Sequence, residues 1–291
     1  MKRFVVVLIT VCVFGLVGHA ESEYELGINK WRSAHQAELL ADGGWLTVAG
    51  LFWLKDGVNT VGAGDAYDVQ LTDNFKQGKF GEIVFSGGKA TLNIVQGVEA
   101  RSDGKIITKI DLASDEKTKP NTIEIGSQSF YLIKRGDRFG IRLKDNKSPS
   151  RTNFSGLKWF SIDSALEVTA ELEPYPEPKD VNVPNVLGGT FPYKSPGILR
   201  FKLGGKEYRL QPVVEDDHLF IIFRDLTSKS STYGAGRFLY ADAPKDGKVV
   251  LDFNKAENPP CAFTAFATCP LPPQQNRLEV AIKAGEKRYH K

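Results

Sequence analysis

Apolar and polar positions change rhythm twice along this chain. Over residues 24–40, Ile28, Trp31, His35 and Leu39 recur at three- and four-residue intervals, with Lys30, Arg32, Gln36 and Glu38 between them. That spacing predicts one amphipathic helix, ended by Asp42-Gly43-Gly44. The stripe by itself asks only for a helix laid over one edge or end of a sheet. From Trp45 onward the texture turns to short runs rich in Val, Ile, Phe, Thr and Tyr, each closed by Gly, Asp or Asn. Strands are predicted over 45–54, 69–71, 82–85, 90–95, 106–112, 122–125 and 130–134, with turns at Asp56-Gly57, Gly87-Gly88 and Asp103-Gly104. Strict alternation over 139–144 puts Phe139, Ile141 and Leu143 on one face, and 166–172 continues the pattern.

The second change comes at 173–197, where Pro174, Pro176, Pro178, Pro184, Pro192 and Pro196 surround Gly188-Gly189. Such a composition disfavours helix and interior strand alike, so the segment is expected to join two parts of the chain. Beyond it, strands are predicted over 197–203, 207–214, 219–223, 238–240, 249–253 and 278–284. The expected fold is mostly β: an N-terminal helix followed by antiparallel β-sandwich or barrel domains, at 21–172 and 198–291.

The first twenty residues follow a different logic. Lys2 and Arg3 precede an uncharged run over 4–16, and Gly18-His19-Ala20 offers small residues where a signal peptidase reads. The run is shorter than the roughly 20 residues that span a bilayer, so residues 1–20 are expected to be a cleaved signal peptide. A periplasmic or secreted protein starting at Glu21 would result, without stable membrane insertion. Without Lys2 and Arg3, 36 basic side chains face 35 acidic ones, which gives no electrostatic case for nucleic acid. Cys12 leaves with the signal, so Cys261 and Cys269 remain and a disulfide is the first expectation in an oxidising compartment. A zinc site would need two more ligands from His35, His218 and His290, and a nucleophilic thiol is the other alternative. No metal or cofactor is expected, because Gly234-Ala-Gly236 is a lone G-x-G and G-x-S-x-G, H-E-x-x-H and C-x-x-C do not occur.

Residues 223–287 are chemically unlike the rest. They carry Phe223-Arg-Asp-Leu-Thr227, Thr232-Tyr-Gly-Ala-Gly-Arg-Phe-Leu239, Val250-Leu-Asp-Phe-Asn-Lys-Ala-Glu-Asn-Pro-Pro-Cys-Ala262, Cys269-Pro-Leu-Pro-Pro273, Asn276-Arg-Leu278 and Ala284-Gly-Glu286. With weaker likeness at Trp31-Arg32 and from Gly44-Trp45 to Gly62, these motifs make the chain resemble the family known as domain of unknown function 1684. The resemblance implies no activity. It does imply that Glu257, where that family tends to carry an aromatic residue, is not an essential carboxylate.

Three functional classes stay open. Asp225, Asp252 and Glu286 could supply a general acid and base of a hydrolase, with Arg237 or Arg277 set against developing negative charge. Alternatively Tyr233, Arg237, Asn254, Asn258 and Arg277 could line a groove beside the 252–269 loop that binds a small polar ligand, a sugar or an organic anion. The third class is a structural partner in the cell envelope, in which the same block is only turn caps and an Asp225–Arg237 pair. Asp225, Tyr233, Arg237, Asp252, Asn254, Asn258 and Glu286 are expected to converge on one polar cluster. The oligomeric state is left open. Arg138, Arg142 and Lys144 share one strand face and are expected to be its solvated side.

Overall fold

The computed structural model describes residues 21–289 apart from 77, 117 and 118. The expected signal peptide and His290 lie outside the described residues. Helix α1 (Glu23–Leu40) starts where Ser22 and Glu25 close a capping box: Glu25 N–H donates to Ser22 Oγ at 3.2 Å, and Ser22 N–H donates to Glu25 Oε2 at 2.8 Å. This arrangement satisfies two of the backbone donors that a helix N-terminus leaves unpaired.

The fold is mostly β, as the alternation predicts, and its strands form three sheets. A six-stranded sheet runs Val48–Trp53, Arg138–Asp145, Gln128–Arg135, Ile123–Ile125, Arg101–Ser102 and Lys105–Ile106 in spatial order. A five-stranded sheet runs Val69–Leu71, Gly57–Ala63, Lys79–Ser86, Lys89–Ile94 and Lys109–Leu112. Buried side chains of both sheets, among them Val61, Ile83, Leu92, Phe130 and Ile141, form one shared core. Pairing is antiparallel except between Gly57–Ala63 and Val69–Leu71.

The third sheet has seven strands and is nearly closed into a barrel. Its order is Arg237–Ala241, His218–Phe223, Val213–Glu215, Thr190–Leu203, Glu167–Pro184 and Lys248–Asp252, with Lys206–Leu210 also paired to Thr190–Leu203. Phe201, Phe223 and Phe253 meet in its interior, where the Phe223 and Phe253 rings cross at 70° with centroids 5.6 Å apart.

Two sequence expectations are corrected here. The proline-rich segment forms two long strands rather than avoiding strand: Glu167–Pro184 pairs with Thr190–Leu203, and the register shifts between Pro174 and Lys179. Alternate positions on a strand face the same way, so Pro174, Pro176 and Pro178 all withhold donors from one side, and the irregularity falls where those donors are missing. Conversely, 278–284 forms no strand. Its backbone is paired partly by isolated backbone bonds at Leu278 and Val280 and partly by side chains: Ile282 N–H donates to Asp225 Oδ2 at 2.7 Å, while Arg237 donates to the carbonyls of Ile282 and Ala284.

Arg237 and Asp225 are buried in the barrel, at 1% and 4% exposure, with Arg237 Nη2 3.2 Å from Asp225 Oδ2. Removing one partner of such a pair leaves an uncompensated charge in the interior, at a cost of about 3–5 kcal/mol. Asp225→Asn should therefore destabilise the fold by about that much in urea denaturation. A loss within about 0.5 kcal/mol, typical of a surface change, would contradict this account of the core.

Candidate functional site

Helix α1 lies against the barrel, and a cleft of about 760 Å³ opens beside it. The cleft walls include Trp31, Trp45, Phe238, Tyr240 and Phe263. Three side chains from remote parts of the chain meet beside it, His35 and Glu257 in its lining and Glu286 buried behind them. His35 comes from α1, Glu257 from the turn after the Lys248–Asp252 strand, and Glu286 from the C-terminal segment. His35 Nδ1 is 3.2 Å from Glu257 Oε2, and His35 Nε2 is 3.5 Å from Glu286 Oε2.

Local structure fixes each of the three. Gly285 adopts φ +72°, and a Cβ there would come within 2.3 Å of Ala256 O, so glycine lets the tail turn and run close beside the 256–258 backbone. Glu286 N–H then donates to Ala256 O at 2.7 Å, and Phe160 N–H donates to Gly285 O at 3.0 Å. The Glu286 carboxylate has no exposed surface and accepts from Asn258 N–H at 3.0 Å and Asn258 Nδ2 at 2.5 Å. Glu257 is held by a two-way backbone pairing with Phe238. His35 stacks on Trp31, with ring centroids 5.3 Å apart and planes 6° from parallel, and Trp159 stands edge-on to both rings.

Burial alone would make the His35 imidazole harder to protonate, but contact with Glu286 and the charges of Glu257 and Glu38 outweigh it, and its pKa is raised. Burial pushes Glu257 up to about 7, with the His35 charge acting against the shift and Glu286 and Glu38 adding to it. At neutral pH the pair can therefore give up or take a proton beside the cleft. Burial also lowers the pKa of Lys144, which lines the same cleft.

The expected polar cluster is divided among separate hydrogen-bonded groups. Asp225 and Arg237 form the barrel pair, with Thr227 Oγ1 donating to Asp225 at 2.6 Å. Asp252 accepts from Tyr24 OH at 2.9 Å and Asn254 N–H at 3.1 Å, and Lys255 Nζ stands 3.6 Å away. Asn254 clamps the Asp163 backbone, accepting its N–H at 3.0 Å and donating to its carbonyl at 2.8 Å. Asp252 and Asn254 thus dock the start of α1. Tyr233 OH donates to Cys261 O at 3.1 Å, and Arg277 is exposed. Of the expected site residues, Glu286 and Asn258 take part in the His35 and Glu257 arrangement.

Other expectations change as well. Cys261 and Cys269 are unbonded neighbours in this structure, with Cys261 N–H donating to Cys269 Sγ at 3.2 Å. The face carrying Arg142 and Lys144 is not solvated along its length. Arg142 is 3% exposed and stacks over Trp45, because Trp45 and the cysteine loop cover that end of the strand. Arg138 remains exposed, over the Trp53 ring.

The sequence offers His35 only as one possible zinc ligand and does not place Glu257 among the candidate carboxylates. His35 reads as one more position of the helix stripe, although a histidine one turn from Trp31 on a buried face is a signal for a buried polar contact. Glu257 was set aside on the family's habit of carrying an aromatic there.

Residues 152–287 match the family model for the protein of unknown function DUF1684, and the chain belongs to that family. The weaker likeness over 31–62 falls outside the matched residues. The solution NMR structure of an uncharacterised protein from Haloarcula marismortui is 33% identical, covering 47% of this chain and 78% of that one, with a TM-score of 0.40. Among curated proteins nothing matches the chain.

The Glu257 shift has a testable sign. A carboxyl raised from 4.5 to about 7 binds its proton more tightly when folded. Its stabilising contribution is complete below pH 4.5 and is lost as pH rises through about 7. Carbon-13 NMR of the glutamate carboxyls should show Glu257 titrating near 7, and His35→Asn should move its midpoint upward by removing the opposing cation. A wild-type midpoint near 4.5 would contradict the assignment.

Proposed function

We propose that the cleft beside α1 binds a small polar substrate and hydrolyses it by acid–base chemistry, with Glu257 as the group that exchanges the proton. The observation that carries this reading is the Glu286–His35–Glu257 chain. A fully buried carboxylate, fixed by two donors from Asn258, stands against an imidazole whose other nitrogen meets a carboxyl held near neutrality at the cleft. An acid or base works best with a pKa near the working pH, and a perturbed carboxyl in a concave site is the feature that separates a catalyst from a plain receptor. Lys144 and Lys255 line the same cleft and can face negative charge that develops on the substrate.

Binding without turnover is the second reading. The aromatic walls favour it, as does Asn258, a cleft residue whose Oδ1 has no hydrogen-bond donor among the described residues. Both readings place the protein outside the cytoplasm. The capping box at Ser22, two residues past the expected cut after Ala20, starts α1 with residues the cut would retain. In an oxidising compartment the two thiols, already in contact, would close to a disulfide.

Two measurements follow. Intact-mass analysis of the exported protein should give a chain beginning at Glu21 and lighter by two hydrogens. Retention of residues 1–20 would overturn the export proposal. A panel of p-nitrophenyl esters, glycosides and phosphates, with thermal-shift binding read alongside, should show turnover of at least one class. Glu257→Gln should lower that turnover about 100-fold or more while binding persists. Wild-type rates in Glu257→Gln would overturn the acid–base role, and binding without turnover in every class would leave the receptor reading.

A further inference from the structure

A second cavity, of about 690 Å³, lies beside the first and shares Trp45, Phe238, Tyr240 and Pro260 with it. Its unusual member is Arg142. The residue is 3% exposed, and among the described residues no carboxylate reaches ion-pair distance of its guanidinium. Its contacts are two long hydrogen bonds, to Thr268 Oγ1 at 3.3 Å and Tyr131 OH at 3.4 Å, and the Trp45 ring 5.2 Å away. Nε is buried with no partner.

The protein treats its other deeply buried guanidinium differently, since Arg237 has Asp225 at 3.2 Å. An uncompensated buried charge costs several kcal/mol; the nearest acidic groups acting on Arg142 are the Cys261 and Cys269 thiols rather than a carboxylate, which leaves its guanidinium able to take an anion from outside. The other charged groups of the cavity, Asp216 apart, are already engaged. Arg135 is paired with Asp115 at 2.8 Å, Lys134 with Glu116 at 2.7 Å, and Glu215 accepts from Tyr240 OH at 3.1 Å. Lys144, on the same strand face as Arg142, adds positive potential from the neighbouring cleft.

We infer that this cavity binds the carboxylate of an aromatic organic acid, with Arg142 as its counter-ion and Thr268 as a second donor. Two features select that chemistry. Asp115, Glu116, Glu215 and Asp216 around the cavity disfavour a doubly charged phosphate, whereas one carboxylate matches the single unpaired cation. The rest of the wall is aromatic, with Trp45, Tyr193, Phe220 and Phe238 positioned to stack on a ring. The inference rests on Arg142 and not on the Glu257 chemistry, so either can fail alone.

The test uses the whole mature chain with benzoate as probe and benzamide as its neutral isostere, read by isothermal titration and by NMR of arginine Nε–H signals. Benzoate should bind at least tenfold more tightly than benzamide and shift the Arg142 signal. Arg142→Gln should abolish the preference, and Thr268→Val, which keeps the cation in place, should weaken benzoate several-fold. Melting curves confirm that each variant is folded. Equal binding of benzoate and benzamide, undiminished benzoate binding in folded Arg142→Gln, a preference for inorganic phosphate, or no binding of benzoate would each overturn the assignment.

Discussion

The arrangement turns on a carboxylate that has no access to water. Glu286 sits at the junction of α1, the turn after the last barrel strand and the C-terminal segment, and an anion in that position must be satisfied by the protein itself. Asn258 supplies two donors, and the His35 imidazole faces the carboxylate as a charge partner, its Nε2 3.5 Å away and outside hydrogen-bond geometry. Each of those contacts ties a remote part of the chain to the barrel. The same burial that demands partners for Glu286 raises the proton affinity of Glu257, so the packing constraint and the chemistry of the cleft share one cause. Gly285 makes the geometry attainable, because a side chain there would collide with the Ala256 carbonyl.

Charged groups substitute for strand pairing elsewhere in the barrel. Asp225 and Arg237 bond to the backbone of the Ile282 and Ala284 region, which lets an irregular tail supply Leu278, Ile282 and Ala284 to the core. The Asp252 and Asn254 group performs a similar task for the start of α1, through Tyr24, whose hydroxyl proton is held by burial and by its bond to Asp252. Much of the polar richness of residues 223–287 is therefore structural. It completes a sheet that neither closes fully nor has a regular last strand. Against that background Arg142 stands out, as a buried cation in a protein that pairs its other buried guanidinium.

The helix, the mostly β architecture and the turn positions were legible in the sequence because each rests on local periodicity. The strands at 173–197 were not, since proline composition reports lost donors and not the side of the strand from which they are lost. The 278–284 error has the converse origin: its apolar pattern is that of a strand, while much of its pairing comes from the Asp225 and Arg237 side chains, distant in sequence. The Asp225–Arg237 pair was foreseeable, because a charge beside a long apolar run needs a partner. The meeting of His35, Glu257 and Glu286 was not, since it depends on how α1 docks, and nothing local records that. Arg142 was misread for the same reason: alternation places it opposite the core of its own sheet, but the barrel side of the molecule covers that face.

The central claim is that the buried Glu286 carboxylate sets the protonation of His35. The most direct measurement is a pH titration of the His35 ring protons by NMR in the wild-type protein and in Glu286→Gln, which keeps the shape and removes the charge. With Glu286 neutralised, the burial of His35 would lose its largest opposing influence. The account predicts that the His35 midpoint falls in Glu286→Gln while the ring stays packed on Trp31. An unchanged midpoint in a folded variant would contradict it.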